Sequence, residues 1–273
     1  WLHSATVLNG TMEQLMAQNE EMNFGGNFSD SDAGSTIAAN SNLTFTGNFD
    51  LNGSTFEMNN YLLTVEGTLS DGNIDNAHLA GGVLSYITSL GNLNIEGTVT
   101  CDDGNSFSGV TTVTGILQSN EYGGGSGTFE LQVNGDLINN GIVRNINSGD
   151  RLHIYITGDL KNNGSWVNNL TYLEGTEDQR IYLIGDTPIE GEVKFDAVLN
   201  TSPFQWYHEG TVLNSSDFTG ETSQVLVWTV PVSPTWYGVF HSETGGGISR
   251  QIIVQQAVVP PSTLELSYEC TDV

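Results

Sequence analysis

Two aspartates in matching surroundings are the residues of this chain best placed to do chemistry. Gly135-Asp136-Leu137-Ile138-Asn139-Asn140-Gly141 and Gly158-Asp159-Leu160-Lys161-Asn162-Asn163-Gly164 differ only at 138/161. Stacked in parallel, the two segments set Asn139 over Asn162 and Asn140 over Asn163, which makes a hydrogen-bonded amide ladder. The same stacking brings Asp136 beside Asp159. Like charges one layer apart repel unless a cation bridges them, so calcium is the one cofactor the residues suggest, with the ladder the plainer reading. Bound calcium would raise the melting temperature. Other acidic points are Asp71, Asp102-Asp103 and the pair Asp30 and Asp32. Adjacent carboxylates on a strand point to opposite faces, which weakens Asp102-Asp103 as a catalytic pair. The histidines, His3, His78, His153, His208 and His241, have neither i,i+4 nor HExxH spacing. No GxSxG, Walker or dinucleotide fingerprint is present, and Gly123 to Gly127 lacks the Lys-Ser/Thr and the helix that phosphate binding needs. No residue is assigned a catalytic role.

Charge narrows the partners. The chain of 273 residues carries 32 Asp and Glu against 6 Lys and Arg, a net charge of −26, which repels phosphate backbones and anionic membranes. Arg144, Arg151, Lys161, Arg180, Lys194 and Arg250 are its whole stock of strong cations, too few for gripping an acidic polysaccharide. Hydrophobic residues make up 37% and aromatic residues 9%, enough for a substantial core. No apolar run approaches the ~18 residues of a membrane-spanning helix. Cys101 and Cys270 are too few and too distant for a disulfide framework and are expected to be unlinked. The opening at Trp1 and the unfinished strand pattern at Val273 suggest a segment of a longer chain.

The residues that position everything else belong to a repeated phrase: apolar, any, apolar, any, Gly, small polar, apolar. It reads Leu43-Thr44-Phe45-Thr46-Gly47-Asn48-Phe49, then Leu63 to Leu69, Leu93 to Val99, Leu131 to Leu137 and Ile154 to Leu160. Met22 to Phe28 is a further copy, Thr111 starts a weaker one, Ile181 starts a last one, and a degenerate one spans Thr6 to Met12. Alternation with period two means strand. The glycines at 26, 47, 67, 97, 115, 135, 158 and 185 recur every 18 to 30 residues, leaving no room for a helix. Such a period predicts a parallel β-helix, or β-solenoid, over 1–188, with one glycine per coil at a corner and apolar neighbours stacked ~4.8 Å apart. Gly123-Gly124-Gly125 and the longer intervals before Gly97 and Gly185 read as extruded loops. The outward row Asn23, Thr44, Thr64, Asn94, Thr112, Gln132 and Tyr155 is too mixed for a flat ice-binding array.

From about Glu190 the phrase stops and aromatic residues concentrate. Five short strands are expected, Val193 to Leu199, Phe204 to Tyr207, Val225 to Thr229, Gly238 to Ser242 and Ile248 to Val254. Gly245 to Gly247 would be a hairpin loop, and the set suggests a small antiparallel sandwich over 190–256. Phe204-Gln205-Trp206-Tyr207-His208-Glu209-Gly210 resembles the third strand of a bacterial immunoglobulin-like domain, and Tyr237 to Ser242 resembles its sixth. The resemblance implies a buried Trp206, with Phe240 at the tyrosine-corner position and Ser242 in place of a core cysteine. Val258-Val259-Pro260-Pro261-Ser262 would be a stiff linker, with 257–273 beginning a further module.

As a whole the chain resembles, in style and composition, the large multidomain surface proteins and adhesins of Bacteroidota. That resemblance implies an all-β, secreted or surface-displayed stalk that is not an enzyme, whose partners are neighbouring domains of its own chain and an extracellular glycan or surface protein. The alternatives are a carbohydrate-active β-helix enzyme, which would use clustered carboxylates on one sheet face, and a phage tail-fibre segment.

Overall fold

A computed structural model describes residues 2–9, 14–16, 22–123, 125–183, 188–198, 202–230, 234–244 and 247–256. The fold is all-β: the described residues form strands, apart from turns and one short 3-10 turn at Pro234–Trp236. None of them belongs to a helix long and apolar enough to cross a membrane.

Up to Asp196 the chain runs in tiers, each placing a strand in three columns of parallel pairing. The first column passes through residues 22–24, 43–45, 63–65, 77–79, 93–95, 111–113, 137–139, 160–162 and 181–183. The second passes from 5–8 through 27–30, 49–50, 68–70, 83–85, 98–101, 116–119, 142–144 and 165–167 to 189–190. The third rises from 14–16 through 36–39, 55–57, 73–75, 87–89, 105–108, 131–134, 153–156 and 170–173 to 192–195. Alternating side chains make inward files. One runs Ile37, Phe56, Ile74, Ser89, Phe107, Val133, Ile156, Leu173, Phe195. The apolar members of the files join one continuous core that reaches from Met16 to Val254.

The glycine phrase is real, but it does not mark a single corner. Thr111–Val113 pairs with Leu137–Asn139, so Gly115 stacks under Gly141 and not under Gly135. Gly26, Gly47 and Gly67, then Gly97, Gly115, Gly141 and Gly164, lie along one edge. Gly91, Gly109, Gly135 and Gly158 lie along another. Two faces of the coil carry the same period-two pattern, and the 20-residue spacing of Gly115 and Gly135 is a step between faces. The long interval before Gly97 is also not a loop: the strand Ala77–Ser89 fills it with a complete tier, and the carbonyl of Ala80 lies beneath Gly97. Of the interval before Gly185, Ser165–Leu173 and Gln179–Leu183 are strands as well, and Gly185 itself lies outside the described residues, as do Gly10, Gly124 and 257–273.

The expected break at 188/190 falls inside the strand Ile189–Asp196, which ends the second and third columns. Beyond it the pairing turns antiparallel. Val225–Trp228 pairs with 193–196 on one side and Phe218–Thr219 on the other. Phe204–His208 pairs with Gly238–Thr244, which pairs in turn with Ile252–Gln256. The expected hairpin joins Gly238–Thr244 to Gly247–Ile248, with Thr244 opposite Gly247. Phe195, Trp206, Phe218, Trp228 and Phe240 pack between these layers. The last strand, Ile252–Gln256, also pairs in parallel with Gln179–Leu183 and so covers the open end of the first column. Arg250 seals this seam, donating to Gln179 Oε1 at 2.6 Å and to the carbonyl of Leu173 at 2.7 Å. Burial pushes its guanidinium down to about 10, yet that still leaves it charged at neutral pH.

Candidate functional site

The amide ladder forms as the matched segments require. Asn139 Nδ2 donates to Asn162 Oδ1 at 2.8 Å inside the core, and Asn163 Nδ2 donates to Asn140 Oδ1 at 2.6 Å on the surface. Asn139 continues the inward file of Ile95 and Val113, so a buried amide stands where the tiers below carry hydrocarbon. It remains tolerable there because Gly141 N–H and the carbonyl of Ser165 supply further partners.

Asp136 and Asp159 are stacked as expected, and each spends an oxygen on the backbone. Asp136 Oδ1 accepts from Asp159 N–H and Asp159 Oδ1 from Arg180 N–H, both at 2.8 Å, with Arg180 Nη1 3.9 Å from Asp159 Oδ2. Burial holds the Asp159 carboxyl above its ordinary value, and the charge of Asp136 adds to that. Among the described residues no group of three or more His, Cys, Asp or Glu could hold a metal ion. One oxygen of each carboxylate is already taken by a backbone N–H, and no further acidic ligand among the described residues completes a cation site, so the melting temperature is expected to be equal in excess calcium and in EDTA. A calcium-dependent rise that disappears in Asp159→Asn would restore the bridging ion.

The other acidic points are dispersed. Asp30 is buried at a corner; burial raises its carboxyl, but hydrogen bonds from Ser35, Ser54 and the N–H groups of Asp32 and Ser31 outweigh burial and leave it below its ordinary value. Asp71 lies within the strand Leu62–Asp75 at φ 57°. Asp102 accepts from Ser85 Oγ at 3.4 Å, while burial, Asp102 and Glu130 raise the exposed Asp103. Histidines are equally scattered: His78 pairs with Glu96 at 2.8 Å, His208 reaches the carbonyl of Tyr237, and His241 stacks on Tyr207. The side chain of His3 lies outside the described residues. Cys101 is buried and unpaired, its thiol pushed up to about 12 by burial; Cys270 lies outside the described residues.

A more concentrated set of polar groups lies on the outer face of the third column, at residues that no motif singles out. Register places Gln132, Tyr155, Tyr172 and Lys194 in one outward file. Around it a groove of about 550 Å³ is lined by Gly104, Ser106, Glu130, Gln132, Tyr155 and Glu174. Gln132 Nε2 donates to Glu174 Oε1 at 2.6 Å, Tyr155 Oη to Glu130 Oε1 at 3.3 Å, and Tyr172 Oη to Asp196 Oδ2 at 3.0 Å. The two tyrosine rings are 5.8 Å apart and tilted by 52°. Burial, then the neighbouring carboxylates, raise both phenols, so they keep their protons and act as donors. Burial lowers His153, which accordingly stays neutral beside Asn169. Gln132 and Tyr155 therefore do not belong to the outward row of Thr44 and Thr64, which is in the first column. Only the tier register could have joined them to Glu174, 42 residues further along the chain.

No protein-family model matches this chain, and neither the curated proteins nor the solved structures contain a match to it.

Proposed function

We propose that the three columns form a β-solenoid closed at one end by an immunoglobulin-like sandwich, and that this unit is a non-catalytic stalk and presentation module of a secreted or cell-surface protein. The observation that carries the reading is the unbroken parallel pairing around a single apolar core from 5–8 to 189–196. Such a stack is extended by adding tiers, each in contact mainly with its neighbours, which suits a spacer. The sandwich fits the immunoglobulin-like pattern in its buried Trp206, whose indole donates to the carbonyl of Ser223, and in Ser242 directly across the sheet from Trp206. Its partners are then neighbouring domains of the same protein and an extracellular glycan or surface protein.

Solution scattering tests the shape and an activity screen tests the chemistry. At ~4.8 Å per tier, about ten tiers alone extend about 50 Å before the sandwich is added. The radius of gyration should therefore exceed the ~18 Å of a compact chain of 273 residues. A value near 18 Å would overturn the stalk. Release of reducing ends from polysaccharides would overturn the non-catalytic assignment and favour the β-helix enzyme.

A further inference from the structure

We infer that the groove on the third column binds an uncharged oligosaccharide laid along the stack, an inference that rests on the extracellular reading above and gives its glycan partner a place. The concavity, about 550 Å³, is of the size that small-ligand sites have. Its walls combine the two kinds of group that a sugar ring needs. Tyr155 in its wall, with Tyr172 on the next tier beyond the lining, offers an aromatic ring for the apolar C–H face of a pyranose. Glu130, Glu174 and Gln132 sit beside them as hydrogen-bond acceptors and an amide donor for ring hydroxyls. These groups are already held in place by the Gln132–Glu174 and Tyr155–Glu130 hydrogen bonds and by the strands beneath, so little ordering remains to be done on binding.

The aromatic surface continues past the groove. Tyr86 is 59% exposed, and its ring lies where any side chain at Gly104, a lining residue, would have to go. Tyr86 lies in the strand Ala77–Ser89, whose last residues are two tiers below Gln132, so an elongated ligand running along the stack would meet aromatic surface at both ends. Charge selects among sugars. Glu130 and Glu174 line the groove and Asp103 and Asp196 flank it, with Lys194 the one lysine in the file, all within a chain of net charge −26. A uronic-acid polymer would be repelled, whereas a neutral chain offers hydroxyl donors to those same carboxylates.

Calorimetric titration of the full chain with cellohexaose, xylohexaose, mannohexaose and hexagalacturonate tests this. At least one of the three neutral hexasaccharides should bind and hexagalacturonate should not. Tyr155→Ala and Tyr172→Ala should each weaken binding about tenfold or more, a loss of about 1.4 kcal/mol, while Tyr155→Phe keeps the ring face and binds within a few-fold of the parent. If either alanine variant fails to melt cooperatively, Ser106→Trp, which fills the groove from its outward rim, should abolish binding in a folded chain. The inference fails if no neutral hexasaccharide binds, if the folded groove variants bind like the parent, or if the acidic oligomer binds best. Any of these would leave the stalk standing on its scattering profile. Appearance of shorter oligosaccharides during the titration would instead remove the non-catalytic reading and leave the groove's preference for neutral sugars intact.

Discussion

Replacing Phe49 by alanine is expected to lower the unfolding free energy by about 3–5 kcal/mol, the range for truncating a buried aromatic residue. Phe49 has no exposed surface and lies among Phe28, Phe45 and Phe56, with ring centroids 5.2, 4.6 and 5.2 Å away. The three neighbours come from all three columns: Phe28 sits below Phe49 in the second, Phe45 belongs to the first and Phe56 to the third. Removing the ring therefore opens a cavity at the axis of the stack, where backbone pairing on every side prevents collapse. Because tiers contact mainly their neighbours, the loss should appear in urea as an early transition of the amino-terminal tiers, ahead of the rest. Val7→Ala, at a side chain 59% exposed in the same region, should change stability by no more than about 0.5 kcal/mol. A change below about 1 kcal/mol for Phe49→Ala would mean that these phenylalanines do not share one core.

The phenylalanine files were legible because alternation with period two states which side chains share a face, and Leu43, Phe45, Leu63 and Val65 do pair as the phrase requires. The ladder of Asn139 and Asn162 was legible for a different reason: near-identical segments in parallel stacking have only one sensible register. Alternation does not encode which of several faces a strand occupies. That is why Gly115 and Gly135 looked like neighbours, and why the tier at Ala77–Ser89, with Ala80 where the neighbouring tiers carry glycine, looked like a loop. Contacts made across tiers were beyond reach altogether. Gln132 and Glu174 come together only because the tiers between them have particular lengths, and Ile252–Gln256 returns 73 residues later to pair with Gln179–Leu183. The aromatic run after Glu190 marked a change of character, but nothing in it showed that the antiparallel strands there would pair with the ends of two columns, 193–196 and Gln179–Leu183.

Gly141→Ala should destabilise the chain by about 1–3 kcal/mol or more, the cost of overpacking a site that cannot yield. The opposite sign would be expected from conformational entropy alone, since a glycine that already sits outside the left-handed region usually gains ~0.4–1 kcal/mol from alanine. Gly141 differs because of what its missing Cβ would meet. The carbonyl oxygen of Gly115 lies directly beneath it, with that of Thr114 2.6 Å away, and both belong to the backbone of the tier below. No rotamer change relieves such a contact; the tiers would have to separate. Separation would also stretch the bonds between tiers that the same corner supports, Ile142 N–H to the carbonyl of Gly115 and Asn140 N–H to the carbonyl of Val113. Gly123 supplies the control, since a Cβ there meets nothing within 4 Å, and Gly123→Ala should be neutral or slightly stabilising. Urea denaturation of the two variants decides the matter: a Gly141→Ala chain as stable as the parent would show that close approach of successive backbones does not set the tier spacing.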